Sequence, residues 1–169
     1  KILDLFEALS GARMMCNYFR FGGVVRDIED AEMQKIKDLD YDRLQYKTDE
    51  LDRMLTENEV LLSRMKGVRM INAEDAIAYS ITGPVLRAAG VPYDIRRADP
   101  YGIYDRFDFD VAVRYNGDLM DNYLIRIDEI RQSLRILDQA IKQIPQGPIN
   151  SQKPAYQVRV PAGEAYGRV

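Results

Sequence analysis

The sequence has 169 residues, with 24 Lys plus Arg against 27 Asp plus Glu and a formal net charge of -3 at pH 7. That length suits one domain with a real core, and the slight acidity argues against a nucleic-acid binder driven by phosphate neutralisation. With no histidine and one cysteine, the chain can hold no Ser-His-Asp triad, His-ligated metal, intrachain disulfide or Cys-x-x-Cys pair.

Residues 1–9, KILDLFEAL, place Ile2, Leu5, Phe6 and Leu9 at helical spacing, with Ser10-Gly11 as the stop. Residues 12–21 are apolar but carry Arg13 and Arg20, and Gly22-Gly23 breaks them with a turn. The acid- and lysine-rich stretch 27–40 reads as a solvated helix face or connector. From 41 to 65, Tyr41, Leu44, Thr48, Leu51, Leu55, Asn58, Leu62 and Met65 form a stripe, so one long amphipathic helix or two in succession is expected, ending at Gly67. Asn72 is placed as an N-cap, with Glu74 and Asp75 in the first turn. Pro84 suits the first turn of a helix that stops at Gly90.

Residues 91–106 read as irregular, with Pro92, Pro100, several tyrosines and several arginines. FDFDVAVRY at 107–115 is the strongest strand-like alternation, although an extended loop gives the same pattern, and Asn116-Gly117 follows as a turn. Asp118 is placed as the cap of a last long helix with the stripe Tyr123, Ile127, Ile130, Leu134, Leu137, Ile141 and Ile144. The two long striped segments could pack antiparallel. Pro145 ends the second, 145–155 reads as a linker, and Tyr156, Val158 and Val160 alternate as another possible strand. No apolar run approaches the roughly 18 residues that span a bilayer.

Candidate chemistry is sparse. There is no P-loop, dinucleotide-binding glycine motif or Gly-x-Ser-x-Gly. Asp108 and Asp110 would share one strand face, either as a cation site or as a solvated face. Met14-Met15-Cys16 suits core filling. Arg13, Arg20 and Arg26 suit either an anion or redox-centre clamp or plain surface pairs. Tyr93, Tyr101, Tyr104 and Tyr115 with Arg96, Arg97 and Arg106 suit an interface or self-packing equally.

Six strings carry a resemblance: LFEALSGARM at 5–14, YFRFGGV at 18–24, NAEDAIAYSITGPVLRAAGVPYDIRRADPY at 72–101, YDRFDFDV at 104–111, RIDEIRQSLRIL at 126–137 and VPAGEAYGRV at 160–169. In that order they make the chain resemble the D-type subunits of respiratory complex I, the quinone-site family related to nickel–iron hydrogenase large subunits. The resemblance implies a mainly α fold: a helical bundle with two long amphipathic helices and a few short strands, part of a hydrogenase-large-subunit-like fold. It also implies one partial domain over 1–169. Family members carry an upstream Gly-Pro-Gln-His-Pro stretch and a His-Arg-Gly motif, so the chain is expected to be the middle of the subunit. The opening at Lys1 and the possible strand at the end agree with that expectation.

By the same resemblance, Arg13, Met15, Cys16, Arg20, Gly22 and Gly23 are expected beside the terminal iron–sulfur cluster and the quinone cavity, with no catalytic residue and no metal ligand in this chain. Many members have Arg-Met-His where Arg13, Met14 and Met15 stand, and that histidine couples the cluster potential to pH. Photosynthetic-type relatives put Met there and His next, where Cys16 stands. Methionine does not titrate, so Met15 is left a soft packing role. The implied setting is NADH–quinone oxidoreduction with ion pumping: quinone as substrate of the full subunit, iron–sulfur clusters and FMN in partner subunits, and no cofactor bound here. The expected neighbours are other complex I subunits, chiefly the small one that carries the terminal cluster and a C-type subunit. No nucleic acid and no membrane span are expected, and the place is a peripheral arm on the cytoplasmic side of the inner or plasma membrane. Two alternatives stay open at this point: a membrane-bound nickel–iron hydrogenase-type large subunit, or a non-catalytic helical interaction domain.

Overall fold

The computed structural model describes residues 2–39, 41–151, 159 and 161–166. The structure is mainly helical, with eight α-helices and one two-stranded sheet among the described residues. Contacts divide it into two compact units, one built from residues 1–40 and 144–168 and the other from 41–143. No described helix is long and apolar enough to cross a membrane.

The first unit holds α1 (Ile2–Ser10), the hairpin of β1 (Phe19–Arg20) and β2 (Gly23–Val24), and α2 (Asp30–Lys37). α2 opens with a reciprocal capping box: Glu29 accepts from the backbone of Glu32, and the Glu32 side chain accepts from the backbone of Glu29. Among the unit's described residues only Glu32 is buried. This unit therefore closes no apolar core of its own.

The second unit holds α3 (Tyr41–Thr56), α4 (Glu59–Met65), α5 (Ala73–Ala78), α6 (Gly83–Ala88), α7 (Ile95–Ala98), a single 3₁₀ turn (Tyr104–Arg106) and α8 (Leu119–Gln143). The striped segment 41–65 is two helices in succession. Asn58 makes the break, its side chain accepting from the N–H groups of Val60 and Leu61. α3 and α8 run antiparallel, because Arg131 reaches Asp49 and Asp52 while Tyr123, earlier on α8, meets Thr56, later on α3.

α5 and α6 end on the same device. After α5, Ser80 N–H donates to Ile77 and Ile81 N–H donates back to Ala76; after α6, Gly90 N–H donates to Arg87 and Val91 N–H to Leu86. These are paired Schellman closures, and each needs a left-handed residue. Gly90 takes φ 95° and Ser80 takes φ 54°. Ile81 and Val91 then fold onto a core of Ala76, Leu86 and Ala89.

The expected strand at 107–115 is corrected. The run is extended, with Phe107 and Phe109 buried against Ile136 of α8 and Asp108 and Asp110 exposed, but no described strand pairs with it. Helix side chains take that place. Gln139 exchanges two hydrogen bonds with Asp108, accepting from its N–H (2.8 Å) and donating to its C=O (2.7 Å), and Gln132 accepts from Asp110 N–H (3.0 Å). The alternating strand expected at Tyr156, Val158 and Val160 lies outside the described residues.

The α8 stripe is also corrected. Ile125, Ile127 and Ile136 are buried, while Ile130 and Leu137 stand exposed. α8 touches α3, α4 and α6, so more than one of its faces is covered: the stripe keeps Ile127 buried and Tyr123, Leu134 and Ile141 half-buried, while Ile125 and Ile136 are buried off the stripe. The irregular stretch 91–106 contains α7 and the 3₁₀ turn, which the prolines had hidden. Asp118 caps α8 as expected, accepting from Asp121 N–H at 2.8 Å with one oxygen and from Gly67 N–H at 2.8 Å with the other.

Candidate functional site

The residues that the resemblance places beside the cluster and the quinone cavity all lie in the first unit, on the segment between α1 and α2. α1 ends at Ser10, whose hydroxyl donates to Phe6 C=O at 2.7 Å, and Gly11 follows with φ 77°. The chain then folds back so that Arg13 reaches Asp4 (2.7 Å) and Glu7 (2.9 Å) on the outside of α1. All three side chains are more than half exposed, so these pairs orient Arg13 more than they stabilise the fold.

Beyond Arg13 the surface is apolar and open. Met15 is 87% exposed and Phe21 96%, with Met14 and Phe19 close behind. Core filling for Met14-Met15-Cys16 is thus overturned, because nothing among the described residues covers them. Cys16 is exposed, and its thiol donates to Ala12 C=O at 3.2 Å. Arg20 ties itself to Asn17, donating to its side-chain oxygen (2.5 Å) and its carbonyl (2.9 Å). It faces no carboxylate among the described residues, which leaves its charge uncompensated on this surface.

The glycine pair has a definite job. Gly22 turns the hairpin with φ 87°. Gly23 pairs across the hairpin with Arg20 and on its other side with Asn150. A Cβ on Gly23 would lie 2.2 Å from Ile149 O, and one on Gly22 would lie 2.4 Å from Ser151 Oγ. Val24 N–H donates to Ile149 C=O (3.1 Å), and Ser151 N–H to Gly22 C=O (2.7 Å). The pair therefore admits residues 149–151 as a third backbone layer against the hairpin.

Arg26 is set apart from the other arginines. Its guanidinium donates to the C-terminal carbonyls of α1, Ala8 and Leu9, and pairs with Glu32 of α2. The Tyr18 hydroxyl donates to Arg26 C=O at 2.7 Å. The hydrogen bond from Arg26, helped by the Glu29 backbone, holds the Glu32 carboxyl below the usual range against the opposing effect of burial. Arg26 is thus a staple joining both helices to the hairpin, not an anion clamp. No local signal marks it, because Arg26 lies sixteen residues after the end of α1 and the hairpin brings it back there.

In the second unit, Asp108 and Asp110 both pair with Arg135. One guanidinium offsets one of the two carboxylate charges, and both aspartates are exposed, so the pair is a solvated ion cluster. No group of three or more Asp, Glu or Cys side chains among the described residues is placed to hold a metal. The tyrosine–arginine cluster self-packs in part: Tyr104 meets Tyr101, Phe107 and Phe109 edge-on, and Arg96 and Arg97 lie over the Phe109 ring at 4.9 and 4.2 Å. Tyr115 stays exposed. Sequence reasoning missed Arg87, a buried arginine paired with Glu129, since nothing local distinguishes it from its exposed neighbours.

The candidate site is therefore, among the described residues, an open surface of soft apolar side chains, one thiol and one arginine that faces no carboxylate, on a unit whose described residues close no apolar core. A unit built this way is completed by something packed against it. Comparison with known proteins bears on what that is. The family described as "Respiratory-chain NADH dehydrogenase, 49 Kd subunit" matches residues 1–168. The chain is 51% identical over 176 residues to the D 1 subunit of the NADH-quinone oxidoreductase of Roseiflexus sp. (strain RS-1), covering 100% of this chain and 47% of that protein. It is 51% identical over 172 residues to the D 2 subunit of the same enzyme from Herpetosiphon aurantiacus, covering 100% and 46%. It is 48% identical over 169 residues to the corresponding D subunit from Dehalococcoides mccartyi (strain 195), covering 100% and 46%. The chain spans about half the length of these curated relatives.

Proposed function

Because the chain belongs to the family of the respiratory-chain NADH dehydrogenase 49 kDa subunit, we propose that it is part of the quinone-reducing subunit of an NADH–quinone oxidoreductase and forms a wall of the quinone cavity beside the terminal iron–sulfur cluster. Electrons pass from NADH to quinone in the whole complex, coupled to ion pumping, and this part of the subunit has no activity by itself. The observation that carries the reading is the coreless first unit. Its Met14, Met15, Phe19 and Phe21 surface lies on the stretch where the family resemblance is dense.

In this reading, Met15 and Cys16 pack beside a cluster held by the small partner subunit, and Arg20 offers a fixed positive charge near its sulfurs. The residues present fit a lining role better than a ligand role. An iron–sulfur cluster takes about four cysteine thiolates, and this chain has one cysteine and no histidine. In this reading the clusters and FMN are held by partner subunits. Gly22 and Gly23 keep the hairpin thin enough to be backed by residues 149–151. A C-type subunit is the second neighbour. The complex's peripheral arm, on the cytoplasmic side of the membrane, is the setting. The two units are parts of one hydrogenase-large-subunit-like domain completed by the rest of the subunit. The shared name of the relatives disfavours the hydrogenase-type alternative.

The test is Phe21→Asp in the full-length subunit, assembled in the complex. Phe21 is 96% exposed here, so the substitution leaves this chain's folding intact. The expected result is loss of NADH–quinone turnover or of small-subunit association, while NADH oxidation by a hydrophilic acceptor upstream persists. Normal quinone turnover in a normally assembled variant would sink the reading.

A further inference from the structure

The run 107–114 is extended and strand-like in composition, and its backbone is met along one edge but only at Phe109 on the other. Even-numbered residues turn their backbone toward the helices: Asp108 to Gln139, Asp110 to Gln132, and Arg114 N–H to Arg87 C=O at 3.0 Å. In extended chain the residues between them face the opposite edge. There Phe109 C=O accepts from the Arg97 guanidinium at 2.6 Å. Next along that edge, the N–H and C=O groups of Val111 and Val113 meet no partner among the described residues. Both valines are half-buried. A backbone group left unpaired away from water costs about 1–3 kcal/mol, and β-branched residues in this spacing are built for a ladder. Ala112 belongs to the helix-facing edge and, together with Val113, lines a groove of about 270 Å³ against Asp128, Arg131 and Gln132, polar and roomy enough for water.

We propose that residues 110–113 are a docking edge for a β-strand, and that this strand comes from the part of the full-length subunit that the present chain does not span. Two observations select that occupant. The described strands of this chain are already engaged, β1 with β2 and the hairpin with residues 149–151. The relatives are about twice as long as this chain, so a further stretch of the same polypeptide is tethered nearby at high effective concentration. The docking mode is strand addition: main-chain hydrogen bonds to Val111 and Val113 supply the pairing and, with it, the register. The inference uses the family only for its length and does not depend on the quinone reading.

The test is amide hydrogen exchange at single-residue resolution on the full-length subunit, purified alone at a low and a high concentration and then within its assembled complex. The expected result is exchange at Val111 and Val113 slowed about 100-fold or more relative to unstructured peptide in the lone subunit at both concentrations, with Ala112 remaining fast. Fast exchange at both valines in every state overturns the proposal. Slowing only in the complex assigns the strand to another subunit, and slowing only at high concentration assigns it to a second copy; either overturns the intramolecular strand. Equal slowing at Ala112 means burial without pairing, which overturns it as well.

Discussion

Gly117 passes directly beneath Ile71. A Cβ at 117 would stand 2.0 Å from the Ile71 carbonyl oxygen, and Ile71 N–H donates to Gly117 C=O at 3.1 Å. Gly117 N–H also donates to Ala88 C=O at 2.9 Å. This one residue joins the segment before α5, the end of α6 and the turn into α8. Its φ is 68°. Gly117→Ala combines left-handed strain with a backbone clash and should cost about 3 kcal/mol or more. Gly67→Ala is the control: its φ is 70°, and nothing lies within 4 Å of the added carbon. It should cost only about 1 kcal/mol. Denaturant midpoints of the two variants check this, and equal losses would refute the crossing-point role.

Ser80 offers the opposite change. It holds the left-handed position that closes α5, where Gly90 does the same work after α6. Its side chain is exposed. Ser80→Gly should stabilise the protein by about 0.5–1 kcal/mol, the relief of left-handed strain less the added freedom of the unfolded chain. A thermal melt with an unchanged or lower midpoint contradicts the assignment.

Acid should destabilise the second unit with a defined sign. Burial alone would push the Asp94 carboxyl up, but the Arg96 side chain and N–H, with Arg87 nearby, outweigh it and hold the carboxyl below its ordinary value of 3.8. Hydrogen bonds from Arg131 lower Asp49 and Asp52 likewise. Carboxyls depressed in the folded state contribute stability that is complete above their unfolded value and is lost as pH falls through the folded one. Stability should therefore be level above about pH 5 and fall below about pH 4. Asp94→Asn should lower stability at neutral pH and shrink the acid loss; an acid limb identical to wild type counts against Asp94.

Met15→His tests the site directly. In the proposed reading a terminal cluster lies beside Met15, and because methionine carries no proton, the cluster's potential should be nearly independent of pH. Histidine at this exposed position would titrate near neutrality. In the assembled complex the cluster potential should then fall with pH, by at most about 59 mV per unit for one proton per electron. A redox titration followed by electron paramagnetic resonance, at pH 6 and 8, decides it. A slope unchanged from wild type would place residue 15 away from the cluster.

Local chemistry was legible in the sequence wherever one residue determines its own surroundings. Asn72 accepts from Asp75 N–H as a cap should, Pro84 opens α6, and Asp118 caps α8. What escaped depends on distant contacts. The alternation at 107–115 reports a chain with two unlike sides, but nothing in it tells that one edge is met by Gln132 and Gln139 of a helix. The stripe of α8 marks helix period correctly and burial only in part, holding for Ile127 but not for Ile130 and Leu137, because neighbours also cover the faces that carry Ile125 and Ile136. The same holds for the candidate site. Gly22-Gly23 reads as a turn from sequence, and only the approach of Ile149 and Asn150 shows why no side chain fits at position 23.

The glutamine contacts between α8 and the extended run work as a vernier. Gln132 and Gln139 are two helical turns apart, a rise of about 10.5 Å, whereas Asp108 and Asp110 are two extended residues apart, about 6.7 Å. Two scales of unequal pitch coincide at one setting only. Sliding α8 by a single residue would also turn it by about 100°, carrying both amides off their marks together. The pair thus gauges the axial position of the longest helix among the described residues, and any push along α8 is either blocked there or handed on to the strand.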